Sequence, residues 1–321
     1  MAKRVLVTGG RGFAGRHTIE HLLATTDWHI TTLERPRHQP SISDRLVQLP
    51  HDLRKPIPDW LSEDWIGHVD AVIHLAASAD VHQCLKAPSE HVLNNVGGVL
   101  TMLEWARSRR LSHFVLVSTN EVYGPTLVGP DGKKEWSPII PATPYSGSKA
   151  AQEALAISWW RTFDVPVVIT NTMQLFGIGQ PNERFIPTVV RHLTRGEPVP
   201  VYALWTGSEW RSASRCWTYV NNHADALRWI LSRGPQASPS RPARWNIAGP
   251  ELSCERLVRR IAELLGVEPE FEFVESDTAR PGHELRYSLD TTKIHDAGWS
   301  EPFDFDYALA ETVTELARGK R

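Results

Sequence analysis

Three glycines, Gly9, Gly12 and Gly15, follow the apolar residues 5–7 at a G-x-x-G-x-x-G spacing. A strand that leaves through such a turn needs backbone that tolerates positive φ and carries no Cβ at the point of closest approach. A helix follows at once, since Phe13, Ile19, Leu22 and Leu23 recur with helical period. Residues 30–33 read as a second strand ending on Glu34. Strand, turn, helix and strand within about thirty residues make a βαβ unit, which commits the chain to a parallel sheet with a right-handed crossover. The helix N-terminus behind the turn offers free N–H groups and a positive dipole end, a site for a pyrophosphate. Glu34, about twenty residues past the glycines, suits an adenosine ribose and repels a 2′-phosphate, so the dinucleotide expected is NAD. Arg35 and Arg37 leave NADP open, and Asp52 and Leu53 are placed to reach the adenine.

Strands and helices keep alternating: strand patterns at 71–77, 113–118 and 165–171, helical ones near 89–109 and 145–162. Beyond about residue 174 proline, glycine and tryptophan rise and the rhythm weakens, until "CERLVRRIAELLG" resumes a helix. The expectation is an α/β protein. A Rossmann-type doubly wound parallel sheet spans 1–173 with a return segment near 216–245, and 174–321 forms mainly a smaller substrate-binding lobe. Lys+Arg 35 against Asp+Glu 37, with no basic run, argues against nucleic acid. Three scattered cysteines, Cys84, Cys216 and Cys254, fit a reducing compartment. With no apolar run long enough for a leader or a membrane span, the expected location is the cytoplasm.

Two stretches carry chemistry. In "PYSGSKAAQEAL" Tyr145 and Lys149 stand four residues apart, on one face of a helix. A phenol of pKa near 10 is a poor base at pH 7, and bringing it into the neutral range takes about 4 kcal/mol. A nearby ammonium and an oxidised nicotinamide both act in that direction. In "STNEVYG", Ser118–Gly124, a strand end carries two hydroxyls, a carboxamide and a carboxylate into the crevice where open α/β sheets bind ligands. Register favours Thr119 over Ser118 as the hydroxyl that meets a substrate.

The set TGGRGFAG, HLAA, NNVGG, VSTNEVYG and YSGSK resembles the extended short-chain dehydrogenase/reductase family acting on nucleotide sugars. "FIPTVVRHLTRGEPVPVY", "RCWTYVNNHADAL", "WNIAG" and "RPGHELRYSLDTTKIHDAGW" are similar, in order, to its NDP-glucose 4,6-dehydratase branch, so the likeness covers nearly the whole chain. The resemblance implies Thr119 as catalytic hydroxyl, Tyr145 as base and Lys149 as the ribose-holding lysine. It assigns Gly9, Gly12, Phe13, Ala14, Gly15, Glu34, Asp52, Leu53, Leu75, Ala76, Ala77 and Asn95 to the cofactor. Ser78, Gln174, Arg184, Arg215 and Arg280 go to the substrate, a UDP- or dTDP-sugar whose diphosphate Arg215 and Arg280 would clamp. It further implies a homodimer whose partner helices cover the helix at 145–162.

The departures bear on the product. Gln174 and Phe176 replace the branch's asparagine and tyrosine, Asn171 stands where arginine is usual, and Asn222 where aspartate follows "YV-x". Where the branch pairs Asp with Glu, this chain has Asn120 and Glu121. In the branch, C4 of the sugar is oxidised, the glutamate removes the C5 proton and the aspartate protonates the departing C6 hydroxyl. A carboxamide delivers no proton. If Glu121 does both jobs and C4 is restored, the product is a 5,6-alkene. The resemblance to the members of this branch that make such alkenes implies 5,6-dehydration of UDP-N-acetylglucosamine in antibiotic biosynthesis as the expected reaction. The alternatives are a 4,6-dehydratase, a C4 epimerase or a decarboxylase. Thr119, Glu121, Tyr145 and Lys149 together argue against a cofactor-binding regulator without catalysis. His17 and His21, spaced for zinc but without a partner nearby in sequence, read as a solvated helix face. Trp205 and Trp210 sit in a long segment that either covers the sugar or packs on itself.

Overall fold

The computed structural model describes residues 2–36, 39–126, 131–275 and 285–319. β1 (Arg4–Thr8) runs into Gly9 at φ 75°, where a Cβ would lie 2.9 Å from Ala76 Cα. α1 (Phe13–Thr25) starts behind Gly12, and a Cβ on Gly15 would lie 2.1 Å from the Gly9 carbonyl oxygen. Turn and helix therefore pack backbone on backbone. β2 (His29–Glu34) pairs parallel with β1, and β3 (Ser41–Ile42) and β4 (Leu46–Pro50) extend that edge. On the other side of β1 follow β5 (Ala71–His74), then β6 (His113–Thr119) and β7 (Val167–Thr172), with the strand Ala243–Ile247 outermost. Within this sheet every pairing is parallel except that of β3 with β4. Strand order reverses between β1 and β5, and a crevice opens above that point.

α2 (Val81–Lys86), α3 (Pro88–Arg107) and α4 (Pro144–Phe163) follow β5 and β6, and α3 and α4 cover one face of the sheet. Leu6, Val72, Leu116 and Ile169 point into that layer with Met102, Leu103 and Ala156. The alternate residues Val5, Val7, Ile73, Val115 and Val168 face α1 and α6 (Val220–Leu231), where they meet Leu22, Leu227 and Ile230. Each strand is apolar on both sides because helices cover both. The region beyond residue 174 builds a second core. There α5 (Phe185–Arg195), α7 (Cys254–Leu265) and the helix Phe305–Arg318 pack Val190, Ile261 and Leu309 with Val201 of the strand Val199–Trp205.

Two expectations are corrected and one open alternative is decided. The pattern at 71–77 is a strand only over Ala71–His74; Leu75, Ala76 and Ala77 leave the ladder to line the crevice. His17 and His21 are not a solvated face. His17 is buried, with Nδ1 2.8 Å from Asn221 Oδ1 and Nε2 2.8 Å from the Ile178 carbonyl. His21 Nε2 lies 3.0 Å from Asp225 Oδ2, so both histidines fasten α1 to α6. Trp205 and Trp210 pair across two antiparallel strands, and Trp210 stacks on Phe273, so they pack on their own lobe.

Candidate active site

The crevice is a groove of about 820 Å³ lined by Gly9, Gly12, Glu34, Asp52, Leu53, Leu75, Ala76, Ala77 and Ser78, among others. Its floor is the close crossing of Gly9 and Ala76, pinned by the Thr8 hydroxyl, which accepts from Ala76 N at 3.2 Å and lies 2.9 Å from His74 Nδ1. Glu34 is buried at the end of β2. Its Oε2 accepts from Arg11 N at 3.3 Å, while Oε1 has no partner. A buried carboxylate oxygen lacking a donor, beside glycines that leave the α1 N-terminus bare, fits the ribose hydroxyls and pyrophosphate of a dinucleotide. Asp52 takes hydrogen bonds from the Arg54 side chain, chiefly for which its carboxyl drops to about 2. Phe13 and Ala14 occupy the first turn of α1, and Phe13 packs edge-on against His17. Asn95 is a brace: Oδ1 accepts from Ser78 N at 2.6 Å and Nδ2 donates to Ser148 Oγ at 2.9 Å, tying the groove wall to α4.

β6 ends on Thr119, and a single 3-10 turn, Asn120–Tyr123, carries the chain onward. Alternation along β6 sends Ser118 and Thr119 to opposite faces; the buried Ser118 hydroxyl has no partner. The Tyr145 phenol feels the Thr119 hydroxyl, which favours its ionised form, and the Glu121 charge, which opposes it. The hydroxyl, the phenol and the acid thus share one site. Arg184 and Arg215 both oppose the upward push that burial exerts on the Glu121 carboxyl. Arg184 precedes α5 and reaches the Ala79 carbonyl at 3.4 Å. Arg215 is buried under Tyr287, with its guanidinium carbon 4.9 Å from the ring centroid. Gln174 follows β7 at φ 35°, uncommon for a residue with a side chain. Arg280 lies outside the described residues.

Helix α4 starts with a capping box. Thr143 Oγ1 accepts from Ser146 N at 3.2 Å and Ser146 Oγ accepts from Thr143 N at 3.0 Å, which sets Tyr145 in the first turn. Lys149 Nζ donates to the Val117 carbonyl at 2.8 Å and to Gln152 Oε1 at 2.6 Å. Burial lowers its pKa to about 8, against the pull of Glu153. The expected lowering of the Tyr145 pKa is not found: burial first, then the Glu121 charge, push the phenol well above its ordinary value. Lys149 directs two of its three donors to Val117 and Gln152, and the Arg184 charge and Thr119 hydroxyl that favour the phenolate do not offset burial. Sequence reasoning missed Glu153 and Arg244 and noted Asn171 only as a departure from the branch; the three are buried together beneath this site. The signals were an acid eight residues past Tyr145 and an arginine inside the apolar strand "ARWNI".

Residues 5–248 match the NAD dependent epimerase/dehydratase family. The chain belongs to that family. It is 33% identical over 317 residues to the low-salt glycan biosynthesis protein Agl12 of Haloferax volcanii, covering 96% of this chain and 97% of that protein. To the dTDP-glucose 4,6-dehydratase of Streptomyces niveus it is 32% identical over 323 residues, covering 97% and 91%. The crystal structure of DesIV, a dTDP-glucose 4,6-dehydratase from Streptomyces venezuelae with NAD bound, superposes with a TM-score of 0.82 at 29% identity, covering 99% and 98%. A UDP-glucose 4-epimerase of Thermus thermophilus in complex with NAD gives 0.83 at 25% identity, covering 99% of this chain and 100% of that one. The family is one of NAD-dependent enzymes of nucleotide sugars within the extended short-chain dehydrogenase/reductases, with dTDP-glucose 4,6-dehydratases among this chain's relatives. NAD is the cofactor, and the groove fits it.

Proposed function

We propose that this protein is a nucleotide-hexose dehydratase that works across C4, C5 and C6 of the sugar. The observation that carries the reading is that the Tyr145 phenol feels both the Thr119 hydroxyl and the Glu121 charge, on a helix that Asn95 ties to the groove wall. NAD bound there supplies a reversible hydride acceptor and, when oxidised, a positive charge. Tyr145 takes the proton of the C4 hydroxyl, and the Thr119 hydroxyl holds the same oxygen. Once C4 is a ketone, the C5 proton is acidic and Glu121 removes it. Burial keeps the Glu121 carboxyl above its ordinary value, which makes it a stronger base and a holder of the proton it takes. An epimerase needs no carboxylate at this position. Arg184 and Arg215 bring positive charge to the same end, as a nucleotide diphosphate requires.

The relatives' names support a dTDP-hexose and a 6-deoxy-4-ketone, the outcome placed second on sequence alone. Asn120 is the observation that favours the other outcome, 5,6-dehydration of UDP-N-acetylglucosamine. The side chain is buried beside Thr119, whose hydroxyl donates to Asn120 Oδ1 at 3.4 Å, and it brings no acid to the C6 oxygen. For the ketone, the hydride taken from C4 is delivered to C6, Glu121 returns its proton to C5 and another donor serves the leaving hydroxyl. For the alkene, Glu121 hands that proton to the departing oxygen, and the hydride returns to C4 to restore its hydroxyl. Mass spectrometry of dTDP-glucose and UDP-N-acetylglucosamine turnover tests the class, a product lighter by one water being expected from one of them. No water loss from either overturns the reading, and proton NMR separates ketone from alkene.

A further inference from the structure

The catalytic turn and the catalytic helix are joined by a polar cluster sealed inside the protein. Arg244, in the strand Ala243–Ile247, and Glu153, on α4, are both 0% exposed, and Arg244 Nη2 donates to Glu153 Oε2 at 2.6 Å. The other Glu153 oxygen accepts from Asn171 Nδ2 at 2.8 Å, and the same amide donates to the Thr119 carbonyl at 3.0 Å. Arg244 Nη1 donates to the Tyr123 hydroxyl at 3.3 Å, and that hydroxyl lies 3.0 Å from Asn171 Oδ1. Thr119 opens the turn that carries Glu121, and Tyr123 closes it. Glu153 stands four residues past Lys149 and eight past Tyr145, so all three share one face of α4. One ion pair thereby grips both ends of the turn bearing the acid and the helix bearing the phenol.

A buried ion pair is a weak stabilising device, since apolar residues of the same volume often serve as well. What it supplies here is direction: a carboxylate with two oxygens, one for Arg244 and one for Asn171, admits a single relative placement of α4, β6 and β7. We propose that Arg244 and Glu153 are positioning residues for the reaction, with Asn171 as their link to Thr119. The kinetic side of this proposal rests on the dehydratase reading. Glu153 is also the anion that faces Lys149; the other side chains around that ammonium are Gln152 and, from β5, His74, which burial keeps neutral near pH 7. Without the Glu153 charge, Lys149 gives up its proton at lower pH.

The test pairs Glu153→Gln/Arg244→Met, which removes both charges together, with Asn171→Ala, which leaves the ion pair intact. The double variant is expected to stay folded and bind NAD, with kcat reduced about tenfold to a hundredfold, KM little changed, and the alkaline limb of the kcat–pH profile moved to lower pH. Asn171→Ala is expected to lower kcat without moving that limb. Unchanged kcat and limb in the double variant overturn the proposal, as does an activity loss that merely follows the folded fraction. If the double variant does not fold, Asn171→Ala decides through kcat at unchanged KM. If the wild-type protein dehydrates no nucleotide hexose, the functional reading falls, and the clamp is read instead from the Lys149 ammonium titration by NMR. An identical titration in wild type and double variant then overturns it.

Discussion

At the scale of single residues, the proposed chemistry turns on Glu121. Its carboxylate is raised by burial and opposed by Arg184 and Arg215, a balance that lets it take a proton from carbon and release it again. Glu121→Gln keeps the shape and removes the base. Turnover is expected to fall by about 10²–10⁴-fold while C4 oxidation survives, seen as a transient NADH absorbance on adding the sugar nucleotide. Loss of that absorbance together with turnover would assign Glu121 to binding instead. In the proposed mechanism its neighbour Asn120 sets the outcome. Asn120→Asp restores an acid beside the leaving oxygen and is expected to raise the share of 6-deoxy-4-ketone in the product, read by proton NMR. These residues were legible in the sequence because each belongs to a short local pattern: a strand end, a four-residue helical spacing, a glycine turn. The state of Tyr145 was not legible, because the desolvation that raises its phenol belongs to the folded site. Nor was the Arg244–Glu153 pair, whose partners are 91 residues apart and meet only when the strand Ala243–Ile247 joins β7.

Elements carry these groups, and the elements are fixed by their ends and their neighbours. The capping box of α4 holds the first turn in which Tyr145 sits. Thr143→Ala removes one side of it and leaves the Ser146 amide without its acceptor. The expected cost is about 1 kcal/mol, seen as a lower Tm, with a fall in kcat beyond the loss of folded protein as Tyr145 gains freedom. A second fastening joins α1 to α6. Burial works against the Asp225 charge, yet hydrogen bonds from His21, Trp299 and Arg228 outweigh it and bring the carboxyl to about 2. A carboxyl depressed in the folded state stabilises fully above its unfolded value, near 3.8, and loses that stabilisation as pH falls toward 2. Asp225→Asn is therefore expected to destabilise at neutral pH and to flatten the acid fall of Tm between about pH 4 and 2. The zinc-like spacing of His17 and His21 was visible in sequence, but their partners on α6 lie 204 residues away, which no local pattern reports.

At the scale of the whole molecule, one outer face remains to be accounted for. On α3, Leu93 and Leu100 are 71% and 39% exposed, and Gly97 lies between them with nothing within 4 Å of an added Cβ. Next to it, the outer side of α4 is lined by Gly147, Ala151, Ala154 and Ser158, small residues that let another helix approach closely, and Gly147 too has open space around it. Leucine knobs on one helix and a shallow track of small residues on its neighbour would be self-complementary under a two-fold axis, with the knobs of each copy entering the track of the other. The resemblance noted in the sequence points to the same arrangement. The protein is expected to sediment as a dimer. Leu93→Glu/Ala154→Glu places charges at both knob and track, and is expected to give monomers with NAD binding retained, since neither residue lines the cofactor groove. A wild-type monomer at micromolar concentration, or a double variant that still sediments as a dimer, would move the interface away from α3 and α4.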